Sequence, residues 1–259
     1  MNNIFAVAGV VIKELYRRKD FYVLFILTVV ICLVMASVNI YHDNEIIRYI
    51  KALCLLLIWI SSLVIAITTT ARQIPAEREQ RTLLPLLAKP LSRPQLIFGK
   101  FLGCWLACGL VLLCFYVFFG ALAASREHAW PLVNYFQAAF LHWMTLGVVI
   151  ALTLLGSLVF AAPSSNSTIC FVAVTAILCV GRYLDLVALK LSEPLRSVIY
   201  AIYFAVPHLE WAFGMRDRIV HDWPRLDWNI VGVDAIYSLA YAAVFLVAAC
   251  LVFRRKAVN

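Results

Sequence analysis

The sequence predicts an all-α polytopic membrane protein, and three observations support this fold class. Hydrophobic residues make up 64% of the 259 residues and charged residues 14%, whereas a soluble domain has about 25% charged residues. Several apolar runs reach the roughly 20 residues that a helix needs to cross a hydrocarbon core of about 30 Å. These runs lack the alternation over about ten residues that marks a membrane β-barrel. We therefore expect residues 1–259 to form a single transmembrane domain.

The first segment, residues 2–18, predicts an interfacial amphipathic helix and not a span. Helical spacing places five apolar side chains on one face: Ile4, Val7, Ala8, Val11 and Leu15. The opposite face carries Gly9, Lys13 and Arg17. A helix of this kind lies along a membrane surface with its apolar side buried. A cleaved signal peptide is less favoured, because the charged segment before the first long apolar run is itself amphipathic.

Six apolar runs predict six transmembrane helices. Their predicted bounds are 21–40, 52–71, 101–124, 135–162, 167–189 and 232–253. A shorter run, "VIYAIYFAVP", lies within the mixed segment 190–231 and is too short to cross comfortably. We expect it to form a re-entrant or interfacial hairpin on the outer side over 195–207, ending at Pro207.

The distribution of basic residues predicts the orientation. With the N-terminus in the cytoplasm, the cytoplasmic segments carry 13 basic and four acidic residues, and the remaining segments carry nine basic and ten acidic ones. Cytoplasmic segments near span ends are enriched in Lys and Arg. Both termini are therefore expected in the cytoplasm, which requires an even number of spans.

The densest mixed charge lies in the loop after the second span, in "AEREQRTLLPLLAKPLSRPQLIFGK" at residues 76–100. Pro75 suits the first turn of a helix, which we expect over 76–88. The sequence "KPLSRP" ends that helix, and the turn at Ser92 starts the next one. The acids in "EREQR" exceed what membrane topology requires and favour docking to a cytoplasmic partner. A basic loop that serves orientation alone is the alternative.

This loop resembles the cytoplasmic loop of type-2 ABC transporter permeases. The residues that match the family pattern are Glu79, Thr82, Leu83, Leu86, Leu87, Pro90, Arg93, Gly99 and Lys100. Arg81 stands where the family usually has Gly, and Pro85 where it often has an acid.

Two further segments strengthen the resemblance. Before the last span, Pro207, Leu209 and Glu210 match the family's Pro-Asn-Leu-Glu segment, with His208 in place of Asn. The N-terminal amphipathic helix ending in "KELYRRK" is the third match. The chain is most similar to permeases of the multi-copper-enzyme-maturation group.

The resemblance implies a membrane-spanning permease subunit of an ATP-driven transporter, and more narrowly an exporter of the bacterial inner membrane. It implies a dimer with a second permease copy, as a homodimer, and two separate cytoplasmic ATPase subunits that use ATP and Mg²⁺. The helix at 76–88 would be the coupling helix that contacts an ATPase. The residues expected to couple are Glu77, Arg78, Glu79, Arg81 and Thr82.

No catalytic site is predicted in the chain itself. It lacks the GxxxxGK[ST] loop that cradles a triphosphate, so it is expected to be non-catalytic and to bind no cofactor. None of the eight cysteines lies in a CxxC motif, so no metal site is predicted. The net charge of +8 is explained by membrane orientation and not by nucleic acid.

Hydroxyl side chains in the second and fifth spans are candidates for lining a transport pathway: Ser61, Ser62, Thr68 and Thr175. The alternative is that these hydroxyls bond their own helix or a neighbouring one. A secondary transporter or channel without an ATPase partner is the alternative function, although such proteins are expected to show internal repeats. A membrane enzyme is less favoured, because no HExxH or GxSxG motif is present.

Overall fold

The computed structural model describes residues 2–17, 19–37, 44–79, 92–127 and 132–255, and within these ranges all regular secondary structure is helical. The helices in chain order are α1 (Asn2–Tyr16), α2 (Lys19–Ser37), α3 (Asn44–Ala71), α4 (Pro75–Glu79), α5 (Arg93–Glu127), α6 (Leu132–Val159), α7 (Pro163–Leu189), α8 (Leu195–Ala205), α9 (Glu210–Val220) and α10 (Trp228–Arg255). The prediction of an all-α polytopic membrane protein is confirmed.

Four stretches of the described chain are long and apolar enough to cross a membrane. They are Arg48–Glu79, Arg93–Ser125, Leu132–Val159 and Trp228–Arg255. They contain or overlap four of the six predicted spans. The predicted spans 21–40 and 167–189 fall on α2 and α7, whose apolar parts Phe25–Val34 and Pro163–Cys179 are shorter. The count of six spans therefore stays a prediction.

Most predicted bounds are close to the observed helix ends. Helices α3, α5 and α10 extend several residues beyond the predicted spans, because a helix continues past the apolar window that identifies it. Helix α6 ends three residues earlier than predicted, at Val159, and α7 starts at Pro163. Proline at the first helical position needs no amide hydrogen, which explains this start.

The centre of the bundle is α6. Within their most apolar stretches, 72% of the residues of α6 are buried against 28% of those of α10. Helix α6 packs against α3, α5, α7, α9 and α10. Helix α10 thus keeps a broad apolar surface for lipid, whereas α6 is enclosed by protein.

Two tryptophans join α5 to α6 in a reciprocal clasp. The indole nitrogen of Trp105 donates to the carbonyl of Trp143 at 2.9 Å, and that of Trp143 donates to the carbonyl of Trp105 at 3.0 Å. The rings stack with centroids 4.4 Å apart. Each ring lies over a glycine of the other helix, since a Cβ at Gly109 would come within 2.5 Å of Trp143 and one at Gly147 within 3.0 Å of Trp105. The clasp satisfies both indole donors inside the membrane.

The N-terminal helix packs along the first half of α5. Three of the five residues of its predicted apolar stripe are buried: Ala8, Val11 and Leu15 are 2–3% exposed. Two glycines one turn apart on α5, Gly99 and Gly103, receive it. An added Cβ at either position would lie 2.7 Å from a valine Cβ of α1. This is the small-xxx-small spacing that allows two helix backbones to approach closely.

The segment predicted as an outer hairpin contains two short helices. Helix α8 has 11 residues and ends at Ala205, two residues before Pro207, and α9 begins at Glu210. At about 1.5 Å per residue, 11 residues extend only about 16 Å, far less than a bilayer core. Helix α8 packs on α7, and α9 packs on α3 and α6.

Candidate functional site

One end of the bundle brings together the end of α3, helix α4, the start of α5 and the end of α10. We call this region the basal junction and define it by Gln73, Glu77, Arg93 and Lys100. It flanks residues 80–91, which hold most of the predicted coupling helix and lie outside the described residues. The junction therefore determines how that segment is connected to the helices of the bundle.

Helix α4 continues the path of α3 with only a short turn between them. Backbone amides of Ala76 and Arg78 donate to the carbonyls of Arg72 and Ile74, each at 3.1 Å. The predicted start at Pro75 is observed. Backbone hydrogen bonds therefore join the end of α3 to α4 through the turn.

Lys100 links α5 to α4 and to the turn between α3 and α4. Its ammonium group donates to the Gln73 carbonyl at 2.9 Å and to Glu77 Oε1 at 2.7 Å. Lys100 is 2% exposed. Losing one partner of a buried ion pair is costly, because the other charge stays desolvated. The Lys100–Glu77 pair thus connects the first of the four long apolar stretches, Arg48–Glu79, to the second, Arg93–Ser125.

Arg93 links the start of α5 to the end of α10. Its Nη1 donates to the carbonyl oxygens of Phe253 and Arg254 at 3.0 and 3.2 Å. The guanidinium also lies 5.5 Å from the centre of the Phe253 ring. The last carbonyls of a helix have no partner within it, so Arg93 caps α10 from a neighbouring helix.

Helix α5 begins with a capping box. The amide of Ser92 donates to Gln95 Oε1 at 2.9 Å, and the amide of Gln95 donates to Ser92 Oγ at 3.4 Å. This is the reciprocal arrangement of a serine N-cap with Gln three residues later. The predicted helix start at Ser92 is confirmed, and the chain re-enters the bundle at a fixed point.

The predicted coupling residues occupy different environments. Glu77 points into the bundle and its side chain is 22% exposed. Arg78 is half-buried and Glu79 is exposed. Arg81 and Thr82 lie outside the described residues. Among the described members of the set, Glu79 is thus the most exposed charge, while Glu77 pairs with Lys100.

The predicted pathway residues do not form one group. Ser61 Oγ lies 2.7 Å from Thr28 Oγ1 of α2, and Thr68 Oγ1 donates to the Val64 carbonyl in its own helix at 2.7 Å. Thr175 is exposed on α7. Ser62 is buried and faces α6. The hydrogen bonds of Ser61 and Thr68 are those expected of hydroxyls in membrane helices.

A buried polar chain around His142 joins α3, α5 and α6. Ser62 Oγ donates to the Trp59 carbonyl at 2.8 Å, and so its oxygen accepts from His142 Nε2 at 2.9 Å. This assigns the hydrogen to Nε2 and leaves Nδ1 to accept from the Tyr116 hydroxyl at 3.4 Å. The imidazole also stacks on the Trp59 ring at 5.4 Å. Every polar atom of the His142 ring has a partner, as burial in a membrane core requires.

The His142 chain was not predicted from the sequence. The five histidines are scattered, and no metal or catalytic spacing includes His142. The available signal was modest: Trp59 and Ser62 are three residues apart and share a helix face. Only the packing of α6 against α3 and α5 shows which histidine they meet.

The predicted outer motif lies at the break between α8 and α9. Pro207 and His208 are buried. The amide of His208 donates to the Tyr237 hydroxyl at 3.1 Å, which joins the motif to α10. The His208 ring also lies 4.3 Å from the ring of Tyr203. Glu210 is the first residue of α9. The motif therefore connects α8 and α9 to α10.

Comparison with known families decides the identity of the chain. Residues 33–258 match the model of the ABC-2 family transporter protein. The chain belongs to the ABC-2 transporter family. The resemblance carried by Glu79, Arg93 and Lys100 is thus confirmed at family level. No curated protein matches the chain.

Membership makes the protein a multi-pass membrane permease subunit of an ABC transporter. The matched region includes all four residues that define the basal junction, so the junction is part of the family's transporter domain. The narrower resemblance to permeases of multi-copper-enzyme maturation stays a prediction. For this ABC-2 permease, the junction is the site that connects the predicted coupling helix to the bundle.

Proposed function

We propose that this ABC-2 permease is the membrane-spanning subunit of an ATP-driven exporter in a bacterial inner membrane. It pairs with a second copy of itself and with two separate ATPase subunits, which bind ATP and Mg²⁺. Its N- and C-termini lie in the cytoplasm. Its own role is mechanical, because it converts ATPase movement into helix movement.

The observation that carries this proposal is the connectivity of the basal junction. The segment 80–91 is flanked on one side by α4, which continues α3, and on the other by the capped start of α5. Lys100 joins the two sides to each other. A push on the segment between them therefore moves α3 and α5 together.

The same push reaches two further helices. Arg93 holds the last carbonyls of α10, and Gly99 and Gly103 hold α1 against α5. A loop whose only task was orientation would need none of these contacts. Packed elements with specific contacts transmit movement as units, and this supports a coupling role.

The two acidic residues of α4 have different roles in this proposal, since one stabilises the junction and the other contacts the ATPase. Glu77 pairs with Lys100, whereas Glu79 is exposed two residues later. We assign Glu79 to the docking surface, with Arg78 beside it. Arg81 and Thr82 complete that surface in the proposal.

The test is to reverse the charge at Glu79. Glu79→Lys is expected to insert at normal levels, because an exposed substitution usually changes stability by only about ±0.5 kcal/mol. A partner surface complementary to "EREQR" would then face the wrong sign, which suppresses association. The variant should recover less ATPase subunit on pull-down and lose substrate-stimulated ATP hydrolysis.

Arg126→Glu, near the opposite end of α5, is the matched charge-reversal control and should leave both readings unchanged. Equal recovery and equal hydrolysis for the two variants would remove the docking role from Glu79.

A further inference from the structure

A pocket of about 420 Å³ lies between α6, α10 and the loop before α10. This volume is within the range of small-molecule sites, roughly 300–1,000 Å³. Its lining residues are Leu141, Leu226, Asn229, Ile230, Val233 and Asp234. None of them belongs to the basal junction or to the His142 chain, and family membership assigns no role to this pocket.

The pocket contains one acidic side chain in an otherwise mainly apolar wall. Asp234 is 7% exposed, and among the described residues none donates a hydrogen bond to its carboxylate or forms an ion pair with it. An isolated buried carboxylate is costly in apolar surroundings. Ionisable groups at membrane depth usually mark a binding site or a pathway. The lining therefore suits a ligand that brings a positive charge.

The loop that contributes Leu226 to the pocket is held in place by a buried glutamine of α6. Gln137 Nε2 donates to the Leu226 carbonyl at 2.9 Å, and its Oε1 accepts from the Leu226 amide at 3.2 Å. Gln137 is fully buried. Asn134 adds a hydrogen bond to the Trp223 carbonyl at 3.1 Å. The loop is thus fixed by α6, and the pocket exists without a ligand-driven rearrangement.

The depth and the mouth of the pocket define the kind of ligand. Asp234 lies six residues after the first residue of α10, about 9 Å along the helix axis. On the pocket rim, Ile230 and Val233 are 53% and 62% exposed. Ile236 continues this exposed apolar surface along α10. A charged head at Asp234 would thus leave an apolar tail lying against α10.

We propose that this pocket binds an amphiphile with a primary ammonium head, the ammonium contacting the Asp234 carboxylate and the tail lying on the apolar face of α10. The Asn229 side-chain oxygen offers a second acceptor for the ammonium hydrogens. Such a head could belong to an aminophospholipid or to a free alkylamine. The proposal is independent of how the ATPase docks.

The experiment measures which amphiphiles the intact permease retains. The purified chain is placed in phosphatidylcholine nanodiscs containing dodecylamine, dodecanol or phosphatidylethanolamine, and bound molecules are counted by native mass spectrometry after release. Wild type should retain dodecylamine well above dodecanol. Asp234→Asn should lower dodecylamine retention about tenfold or more, the size expected for a lost hydrogen bond to a charged group.

Two control variants separate the carboxylate from general effects. Asp227→Asn changes an exposed acid in the loop before α10 and should leave dodecylamine retention unchanged. Asp234→Glu keeps the charge and should restore retention, which shows that loss in Asp234→Asn does not come from misfolding.

The arms of the experiment also identify the source of the ammonium. If Asp234→Asn lowers retention of both dodecylamine and phosphatidylethanolamine, the site takes lipid headgroups. If it lowers dodecylamine retention alone, the site takes free amines. Equal dodecylamine retention by wild type and Asp234→Asn, or an equal loss of dodecanol, would overturn the proposal.

Discussion

At the residue scale, buried ionic groups in this permease connect helices. Lys100 is buried and bonds both Gln73 and Glu77. At the other end of the bundle, Lys51 is equally buried but pairs at 3.2 Å with Asp222, whose side chain is 61% exposed. Both pairs join a lysine to a carboxylate but differ in solvent exposure, so their coupling free energies should differ.

A double-mutant cycle tests this difference. Lys100→Met and Glu77→Gln should each destabilise the permease, and their effects should be non-additive by about 1–3 kcal/mol, because the residues share one poorly solvated contact. The cycle of Lys51→Met and Asp222→Asn is the control and should show a coupling below about 1 kcal/mol, since water screens Asp222. Thermal unfolding in detergent, followed by tryptophan fluorescence, gives both values. A coupling at Glu77–Lys100 no larger than at Lys51–Asp222 would contradict the role given to the basal junction.

The structural role of a residue could be predicted from the sequence only where neighbouring residues form a recognisable local pattern. The capping residue Ser92 and the helix start at Pro75 follow from short-range rules and were predicted. Arg93 bonds Phe253, which lies 160 residues away in the sequence. Lys100 bonds Gln73 and Glu77, which lie 27 and 23 residues away. The positions of Arg93 and Lys100 in the family pattern were clear, but no local rule shows that Arg93 caps α10. Asp234 gave no signal at all, because a single acid at a span end is common.

At the element scale, α1 lies in a groove made by two glycines of α5. A Cβ at Gly103 would lie 2.7 Å from Val11 Cβ and 3.0 Å from the Ala8 carbonyl. The second contact is to backbone, so a side-chain rotation does not relieve it. The close approach of α1 to α5 therefore depends on the absence of side chains there.

Gly103→Ala should consequently lower the thermal unfolding midpoint. The free energy of unfolding should fall by about 1–3 kcal/mol, the cost typical of overpacking. Gly232→Ala in α10 is the matched control, because nothing lies within 4 Å of its added Cβ. That change should be neutral or stabilising by up to about 1 kcal/mol, since Ala favours a helix more than Gly does. Opposite signs for the two variants are the expected result, and equal stabilisation by both would show that α1 is not closely packed on α5.

Elements were predicted more reliably than their contacts. The apolar stripe of α1 and the shortness of α8 follow from hydrophobic periodicity and length. The surface that receives the α1 stripe does not, because Gly99 and Gly103 appear in the sequence as two small residues among many. The clasp of Trp105 and Trp143 was likewise missed, since it depends on how two distant helices are placed.

At the scale of the whole molecule, composition and periodicity were sufficient for the fold class, and the motif residues were sufficient for the family. The arrangement of the bundle shows which helices contact one another, which neither composition nor motif residues could show. The basal junction brings α3, α4, α5 and α10 together beside the predicted coupling helix. The Asp234 pocket lies between α6 and the first turns of α10. Movement and ligand contact are thus assigned to separate parts of the molecule.

The most direct test of the central claim, a permease driven by separate ATPase subunits, is the composition and activity of the complex isolated from its native membrane. The chain is tagged after Asn259, purified in mild detergent, and its complex is weighed by native mass spectrometry while ATP hydrolysis is measured. We expect two permease copies with two ATPase subunits, ATP hydrolysis by the complex, and no hydrolysis by the permease once those subunits are removed. Recovery of the permease without any ATPase subunit, or ATP turnover by the stripped permease, would contradict it.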